Sequence, residues 1–139
     1  MENEFYENYE EKSESEKENY EEEYVDFEKL KDKIRKFVRE RDWEKYHNPK
    51  DLAIAIAVEA GELLEIFQWM KDSEAEKVKE NKQLMEKIES ELADVLNLCI
   101  RMADKLDLNL GRIVLNKLKE AERKYPKDKF KGVWSKPEY

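Results

Sequence analysis

Apolar residues recur every three or four positions through most of this chain, and few turn-forming residues interrupt them. The 139 residues include only three glycines and three prolines, which leaves little material for the many turns of an all-β protein. Spacing of three to four residues is typical of amphipathic helices, whereas strands alternate every second residue. The sequence therefore predicts an all-α fold in which four helices form a bundle.

The breaks between these helices are marked by residues that stop or start a helix. Asp26 can cap the first helix, and Pro49 in the Asn48-Pro49 pair suits the first turn of the second. A further break falls at residues 107–109, and Tyr125-Pro126 ends the pattern. The predicted helices cover approximately residues 26–42, 49–70, 73–106 and 110–124.

Charge is distributed unevenly along the chain. Residues 1–24 contain eleven glutamates and two lysines, a net charge of −9, while the whole chain carries −8. This segment is low in complexity and poor in aliphatic residues, which predicts a disordered acidic arm; docking of its aromatic residues on a neighbour is the alternative. We expect a helical catalytic domain at residues 25–126 and a basic tail at residues 127–139.

This charge distribution also narrows the range of partners. The acidic arm repels phosphate backbones and anionic lipids, so neither duplex nucleic acid nor a membrane is an expected partner. The single cysteine, Cys99, and the lack of a long apolar run predict a soluble, reduced, cytoplasmic protein. Small phosphorylated ligands are compatible with the nearly neutral body.

Two pairs of carboxylates lie within the two most apolar helical segments. Glu59 and Glu62 are three residues apart, as are Glu91 and Asp94, so each pair shares one helical face. If the two helices pack antiparallel, the four acids meet, and their repulsion calls for a divalent cation. Oxygen ligands suit Mg²⁺, with Mn²⁺ possible, and phosphates would complete the shell.

Two considerations bear on this interpretation. In a chain so rich in glutamate, such pairs also arise by chance on solvated faces, and spacing alone leaves both interpretations open. With His47 as the sole histidine and Cys99 as the sole cysteine, a zinc site or a histidine-containing di-iron site is disfavoured.

The segments RDWEKYHNPKDLAIAIAVEAGELLEIFQW and ESELADVLNLCIRMADKL resemble the MazG-like all-α nucleoside triphosphate pyrophosphohydrolases, particularly the dCTP pyrophosphatase branch. The resemblance covers approximately residues 27–126 and includes the family signature, E-x-x-E followed by E-x-x-D. It implies a four-helix bundle whose basic unit is a dimer, with tetramers also found.

The resemblance also implies an activity. Glu59, Glu62, Glu91 and Asp94 would bind Mg²⁺, and a water would attack the α-phosphorus of a nucleoside triphosphate to give the monophosphate and pyrophosphate. Glu59 or Glu62 could orient that water as a base. The implied role is sanitation or balance of the nucleotide pool, with dCTP as one possible substrate.

Contacts to the substrate follow from the same resemblance. Trp43, His47 and Trp69 would form a base pocket, although the tryptophans could equally be packing residues and His47 a helix cap. Lys105, Lys117 and Lys124 stand where related enzymes often carry basic residues that could meet phosphate oxygens, although each could equally be a solvated surface lysine. Apart from the resemblance, Asn97 lies one turn from Asp94 and could hydrogen-bond a metal ligand or the substrate, or cross-link helices. Leu98 and Ala121 stand where that branch carries tyrosine and asparagine, so base and sugar specificity stay open.

Two other functions are compatible with the sequence. One is a helical interaction module that keeps the scaffold but has no turnover. The other is an enzyme of the phosphoribosyl-ATP pyrophosphohydrolase type, which has a similar helical scaffold. Four acids gathered in one place favour an enzyme over a binding module, because an acidic cluster without a cation is costly.

Overall fold

The structure, a computed structural model, describes residues 26–134, and every regular element in that range is helical. The predicted all-α fold is therefore confirmed. The acidic arm proposed for residues 1–24 and the end of the basic tail, residues 135–139, lie outside the described residues. The helices are α1 (Phe27–Glu40), α2 (Pro49–Phe67), α3 (Asp72–Ala75), α4 (Lys82–Lys105), α5 (Leu110–Lys124) and α6 (Lys127–Phe130), with a 3-10 turn at Val78–Glu80.

The chain divides into two compact units, residues 1–44 and residues 45–139. The first contains α1, and the second contains all the other described helices. None of the helices in the described range is long and apolar enough to cross a membrane.

The starts of α1 and α2 agree with their capping residues. The side chain of Asp26 accepts a hydrogen bond from the backbone N–H of Glu28 at 2.9 Å. Asn48 caps α2 by accepting from the backbone N–H of Asp51, also at 2.9 Å, and Pro49 occupies the first helical position. These bonds satisfy backbone donors that have no partner inside the helix. The cap of α2 is therefore Asn48 and not His47.

The predicted start of the third helix near Ser73 is wrong. Asn81 has an extended backbone, and its side chain accepts from the N–H of Leu84 at 3.1 Å, so α4 begins at Lys82. The preceding charged segment forms α3 and the 3-10 turn instead. Few apolar residues lie in that segment, and a helix without an apolar face to bury gains little from tertiary packing.

The end of α4 confirms the predicted break. Asp107 adopts a left-handed backbone with φ 54°, and its N–H donates to the carbonyl of Asp104 at 3.2 Å. The N–H of Leu108 then donates to the carbonyl of Ala103 at 2.8 Å. This pair of bonds is the Schellman motif, which satisfies carbonyls left over at a helix end. Aspartate tolerates the left-handed region better than most residues other than glycine.

The end of α1 repeats this motif and fixes Trp43. Asp42 has φ 52°, and the N–H of Trp43 donates to the carbonyl of Val38 at 3.1 Å. The Trp43 ring lies edge-on to Phe37, with the ring centroids 5.7 Å apart. An apolar contact of this kind commonly accompanies the motif. Trp43 thus has a structural role at the end of α1.

Packing of α2 against α4 forms the core of the second unit. The largest fully buried side chains of the described residues are Leu52 on α2 and Ile100 on α4. Several aliphatic side chains of α5 are exposed by contrast, among them Val114, Leu115 and Leu118. Self-association could cover such surfaces, and it stays a prediction.

Substitution of leucine by alanine should destabilise the fold more at a buried position than at an exposed one. We expect Leu52→Ala to lower the free energy of unfolding by about 2–5 kcal/mol, because Leu52 is only 1% exposed and its loss leaves a cavity. The matched control on the same helix is Leu64→Ala, which should cost less than about 1 kcal/mol because Leu64 is 62% exposed. Chemical denaturation measures both. An equal cost at Leu64 would contradict its exposure in solution and point to coverage by a second chain.

Candidate metal centre

Packing of α2 against α4 brings three of the four predicted acids together. Glu59 and Glu62 lie one helical turn apart on α2, and Glu91 lies on α4. One carboxylate oxygen from each of the three lies within 4.8 Å of the other two. We refer to these residues as the carboxylate cluster. Glu59 and Glu91 are partly buried and Glu62 is exposed, so the cluster opens to solvent on the side of Glu62.

The electrostatics of the cluster are visible at Glu91. Burial raises the pKa of Glu91 above its ordinary value, and the charge of Glu62 raises it further. The charges of Glu59 and Asp94 act in the same direction, as does a hydrogen bond between the Glu59 and Glu91 carboxyl groups. Without a cation, therefore, the surroundings of Glu91 disfavour its ionised form.

Asp94 lies one turn from Glu91 on α4 but is not part of the carboxylate cluster. Its side chain is exposed, and its charge acts on two neighbours. It helps to raise the pKa of Glu91, and it opposes the lowering of the Arg101 pKa that burial causes. Asp94 therefore lies near Glu91, but its carboxylate is not among the three that meet.

The donor set of the cluster fits a hard divalent cation. All three groups offer carboxylate oxygens, the ligands that Mg²⁺ and Mn²⁺ prefer. Oxygens on opposite sides of a Mg²⁺ ion lie about 4.2 Å apart at the usual bond length. Neighbouring oxygens in the shell lie closer still, about 3 Å apart, so the three carboxylates, which lie within 4.8 Å of one another, would have to draw together around the ion. Asp94, water and phosphate oxygens are then available for the remaining positions.

The aromatic candidates for substrate binding are distributed over both compact units. Trp69 follows the end of α2 and is 88% exposed, so its ring is free to meet a ligand. His47 is partly buried in the segment before α2. Trp43 belongs to the first compact unit, where it packs on Phe37. The base pocket proposed for these three residues stays a prediction.

The lysine candidates lie at helix ends and on exposed faces. Lys105 is the last residue of α4 and is exposed. Lys117 on α5 forms an ion pair with Glu120 at 2.9 Å, and Lys124 lies over the ring of Tyr125 at 5.7 Å. Their role in binding phosphate also stays a prediction.

Two polar residues, Asn97 and Arg101, follow Asp94 on the same face of α4. Asn97 is partly buried, and its Oδ1 atom is buried without a hydrogen-bond partner among the described residues. Arg101 is also partly buried, and the charge of Asp94 acts on it. The sequence interpretation omitted Arg101. Its position seven residues after Asp94, two turns along the same face, was the available signal.

Comparison with known proteins places most of the candidate site within a family segment. The MazG-like family model matches residues 54–137. That segment begins after Trp43 and His47 and includes all four acids.

The relatives are named enzymes. The chain is 39% identical over 94 residues to rat dCTP pyrophosphatase 1 and 37% identical over 90 residues to the human protein of that name. Each match covers 65% of this chain and 53% of the relative, so the chain spans about half the length of these curated relatives. A crystal structure of a pyrophosphatase from Archaeoglobus fulgidus is 41% identical, with a TM-score of 0.65, and the match covers 74% of this chain and 94% of that one.

Repulsion in the cluster should be measurable as a pH-dependent loss of stability. Because the pKa of Glu91 is raised, the folded protein keeps a proton that the unfolded chain releases above about pH 4.5. The free energy of unfolding should therefore fall as pH rises from that value through the raised pKa. We expect Glu91→Gln, without metal, to melt at a higher temperature than the wild type at about pH 7.5, and the difference to shrink toward about pH 5.

Glu120→Gln is the control of opposite sign. The hydrogen bond from Lys117 holds the pKa of Glu120 below its ordinary value, so ionised Glu120 stabilises the fold above that value. Its replacement should lower the melting temperature at neutral pH and have less effect in acid. Equal behaviour of the two variants would contradict a repulsive environment at Glu91.

Proposed function

Since this chain belongs to the MazG-like family, we propose that it is a Mg²⁺-dependent nucleoside triphosphate pyrophosphohydrolase. It would convert a nucleoside or deoxynucleoside triphosphate and water to the monophosphate and pyrophosphate. The observation that carries this proposal is the carboxylate cluster, which lies inside the family segment on the two helices of the core. The activities named for the relatives support the same reaction class.

We assign Glu59, Glu62, Glu91 and Asp94 as the metal ligands of this reaction. A bound Mg²⁺ would neutralise phosphate charge and lower the pKa of a coordinated water. The role of the chain is to position the ion. The carboxylates project from both α2 and α4, so the metal ligands are in place before the substrate binds. Little covalent chemistry is asked of the protein in phosphoryl transfer, where positioning and electrostatic stabilisation dominate.

Glu62 is the better candidate for orienting the attacking water. Glu59 and Glu91 are partly buried, whereas Glu62 is exposed. A carboxylate that faces solvent can accept a hydrogen bond from a water while its second oxygen contacts the ion. Glu59 would then act mainly as a ligand.

For the substrate we propose a deoxynucleoside triphosphate, with dCTP as the first candidate because of the names of the relatives. The exposed ring of Trp69 offers a face on which a base could stack. His47 and Trp43 complete the proposed base pocket, while Lys105, Lys117 and Lys124 would meet phosphate oxygens. Nucleotides of this kind are found in the cytoplasm, where we expect the protein to act as a dimer or tetramer.

Hydrolysis should depend on the metal and on the four acids. We expect pyrophosphate release from one or a few members of a dNTP panel only when Mg²⁺ or Mn²⁺ is present. Glu62→Gln and Asp94→Asn should each lower kcat/KM by at least about a hundredfold, because even residues that only support metal ligands cost roughly 10–100-fold when changed. Both substitutions remove charge with little change of shape.

Glu65→Gln is the matched control, because Glu65 is an exposed carboxylate on α2, one turn beyond Glu62 and outside the carboxylate cluster. It should retain wild-type turnover. Hydrolysis of phosphoribosyl-ATP but of no dNTP would identify the protein as an enzyme of the phosphoribosyl-ATP pyrophosphohydrolase type. No turnover of any nucleotide by the folded wild type would favour the interaction module.

Trp69 should affect substrate binding more than stability. We expect Trp69→Ala to raise KM about 5- to 150-fold, which corresponds to the ~1–3 kcal/mol of base–aromatic stacking. Its melting temperature should change little, because the ring is 88% exposed. Trp134→Ala is the control, since Trp134 is also fully exposed and lies outside the proposed pocket. An unchanged KM for Trp69→Ala would remove Trp69 from the base pocket.

A further inference from the structure

One polar stripe on α4 continues from the carboxylate cluster into the core. Asp94, Asn97 and Arg101 stand at positions i, i+3 and i+7, so they lie on one face of the helix, two turns from end to end. Side chains on a helix lean toward its N-terminus. The long Arg101 side chain therefore extends back over the turn that carries Asn97, in the direction of Asp94.

Burial along this stripe is unusual for such polar residues. Arg101 is partly buried in the helix pair that forms the core, and its Nε atom is inaccessible to solvent. Arginine is almost never buried without a partner for its charge. The charge of Asp94 acts on the Arg101 guanidinium, and it favours the charged form against the effect of burial on the pKa. The two side chains, which lie on one face of α4, therefore attract one another.

Asp94 itself has two competing neighbours. On one side lies the carboxylate cluster, which repels it, and on the other lies Arg101, which attracts it. Asp94 is also the one member of the four acids that stands outside the cluster. In a protein without metal, attraction to Arg101 would draw Asp94 away from the carboxylate cluster.

We propose that Arg101 is a positioning residue for the metal site: it neutralises Asp94 in the metal-free protein and releases Asp94 to the ion when a divalent cation binds. The inference rests on the metal site of the proposed function. Asp94 then pairs with the Arg101 guanidinium in the metal-free protein and with the cation in the metal-bound protein. Because the cation must compete with Arg101 for Asp94, the positive charge of Arg101 opposes metal binding. The metal affinity of the site is accordingly set below the value that the acids alone would give.

Asn97 provides the second position that such an exchange needs. Its Oδ1 atom is buried and accepts no hydrogen bond among the described residues, although a buried acceptor normally has a donor. Arg101 lies four residues further along the helix, within the range at which side chains on one face meet. When Asp94 turns to the ion, the guanidinium can donate to Asn97 Oδ1 and remain satisfied.

Titration of Mg²⁺ into metal-free protein, without nucleotide, tests this inference by calorimetry. We expect Arg101→Gln to bind Mg²⁺ roughly three- to tenfold more tightly than the wild type at low ionic strength, and the difference to shrink in high salt. Arg101→Lys keeps the charge and should bind within about twofold of the wild type. Arg112→Gln, which removes an exposed arginine of α5, controls for net charge and should leave the affinity unchanged.

A double-mutant cycle distinguishes a specific interaction between Asp94 and Arg101 from a general electrostatic effect of the Arg101 charge on the metal site. In the Asp94→Asn background the effect of Arg101→Gln on Mg²⁺ affinity should largely disappear, because the released carboxylate is absent. The rise in melting temperature caused by Mg²⁺ should follow the same pattern: larger in Arg101→Gln than in the wild type, and equal for the two Asp94→Asn proteins. This second measurement also shows whether each variant is folded.

An unchanged or weakened affinity in folded Arg101→Gln overturns the inference, as does an effect that persists in full in the Asp94→Asn background. If these proteins nevertheless hydrolyse a dNTP, the proposed function stands without the role of Arg101. If Arg101→Gln tightens Mg²⁺ binding as expected but no nucleotide is hydrolysed, the inference stands and the proposed reaction fails.

Discussion

Contact between α2 and α4 carries two opposing interactions. Leu52 and Ile100 are fully buried and stabilise the helix pair, while Glu59, Glu62 and Glu91 meet within 4.8 Å on the same two helices and repel one another. Apolar burial acts over the whole length of a helix pair, whereas the repulsion is local. The helix pair can therefore fold without metal and still present a group of carboxylates that could bind one.

Much of this arrangement was readable from the sequence because it depends on local signals. The Asn48-Pro49 pair marks the start of α2, and Asp107 marks the end of α4, through hydrogen bonds that each helix end requires. The carboxylate pairs were visible because three-residue spacing on an apolar helix fixes a common face. The start of α4 was misplaced because the charged segment before Asn81 contains neither glycine nor proline, and only the cap hydrogen bond reveals the boundary.

Other features of the site depend on tertiary structure and were not readable. Nothing in the spacing distinguishes Asp94 from the three acids of the carboxylate cluster, because its separate position comes from its surroundings. Arg101 was overlooked because a single arginine in a chain with 45% charged residues looks like surface. Partial burial distinguishes Asn97 and Arg101 from ordinary surface residues. Burial depends on how the helices pack, which the sequence pattern does not give.

Repulsion among the acids of the carboxylate cluster has an evolutionary consequence. Each mutation that replaces one of these acids by an amide or an apolar residue removes repulsion from the core, and the resulting protein would fold at least as well. Lineages in which the reaction stops mattering are then expected to lose the acids early and to persist as sturdier, inert helical proteins. Retention of the acids would therefore reflect selection on the proposed reaction, acting against the preference of the fold.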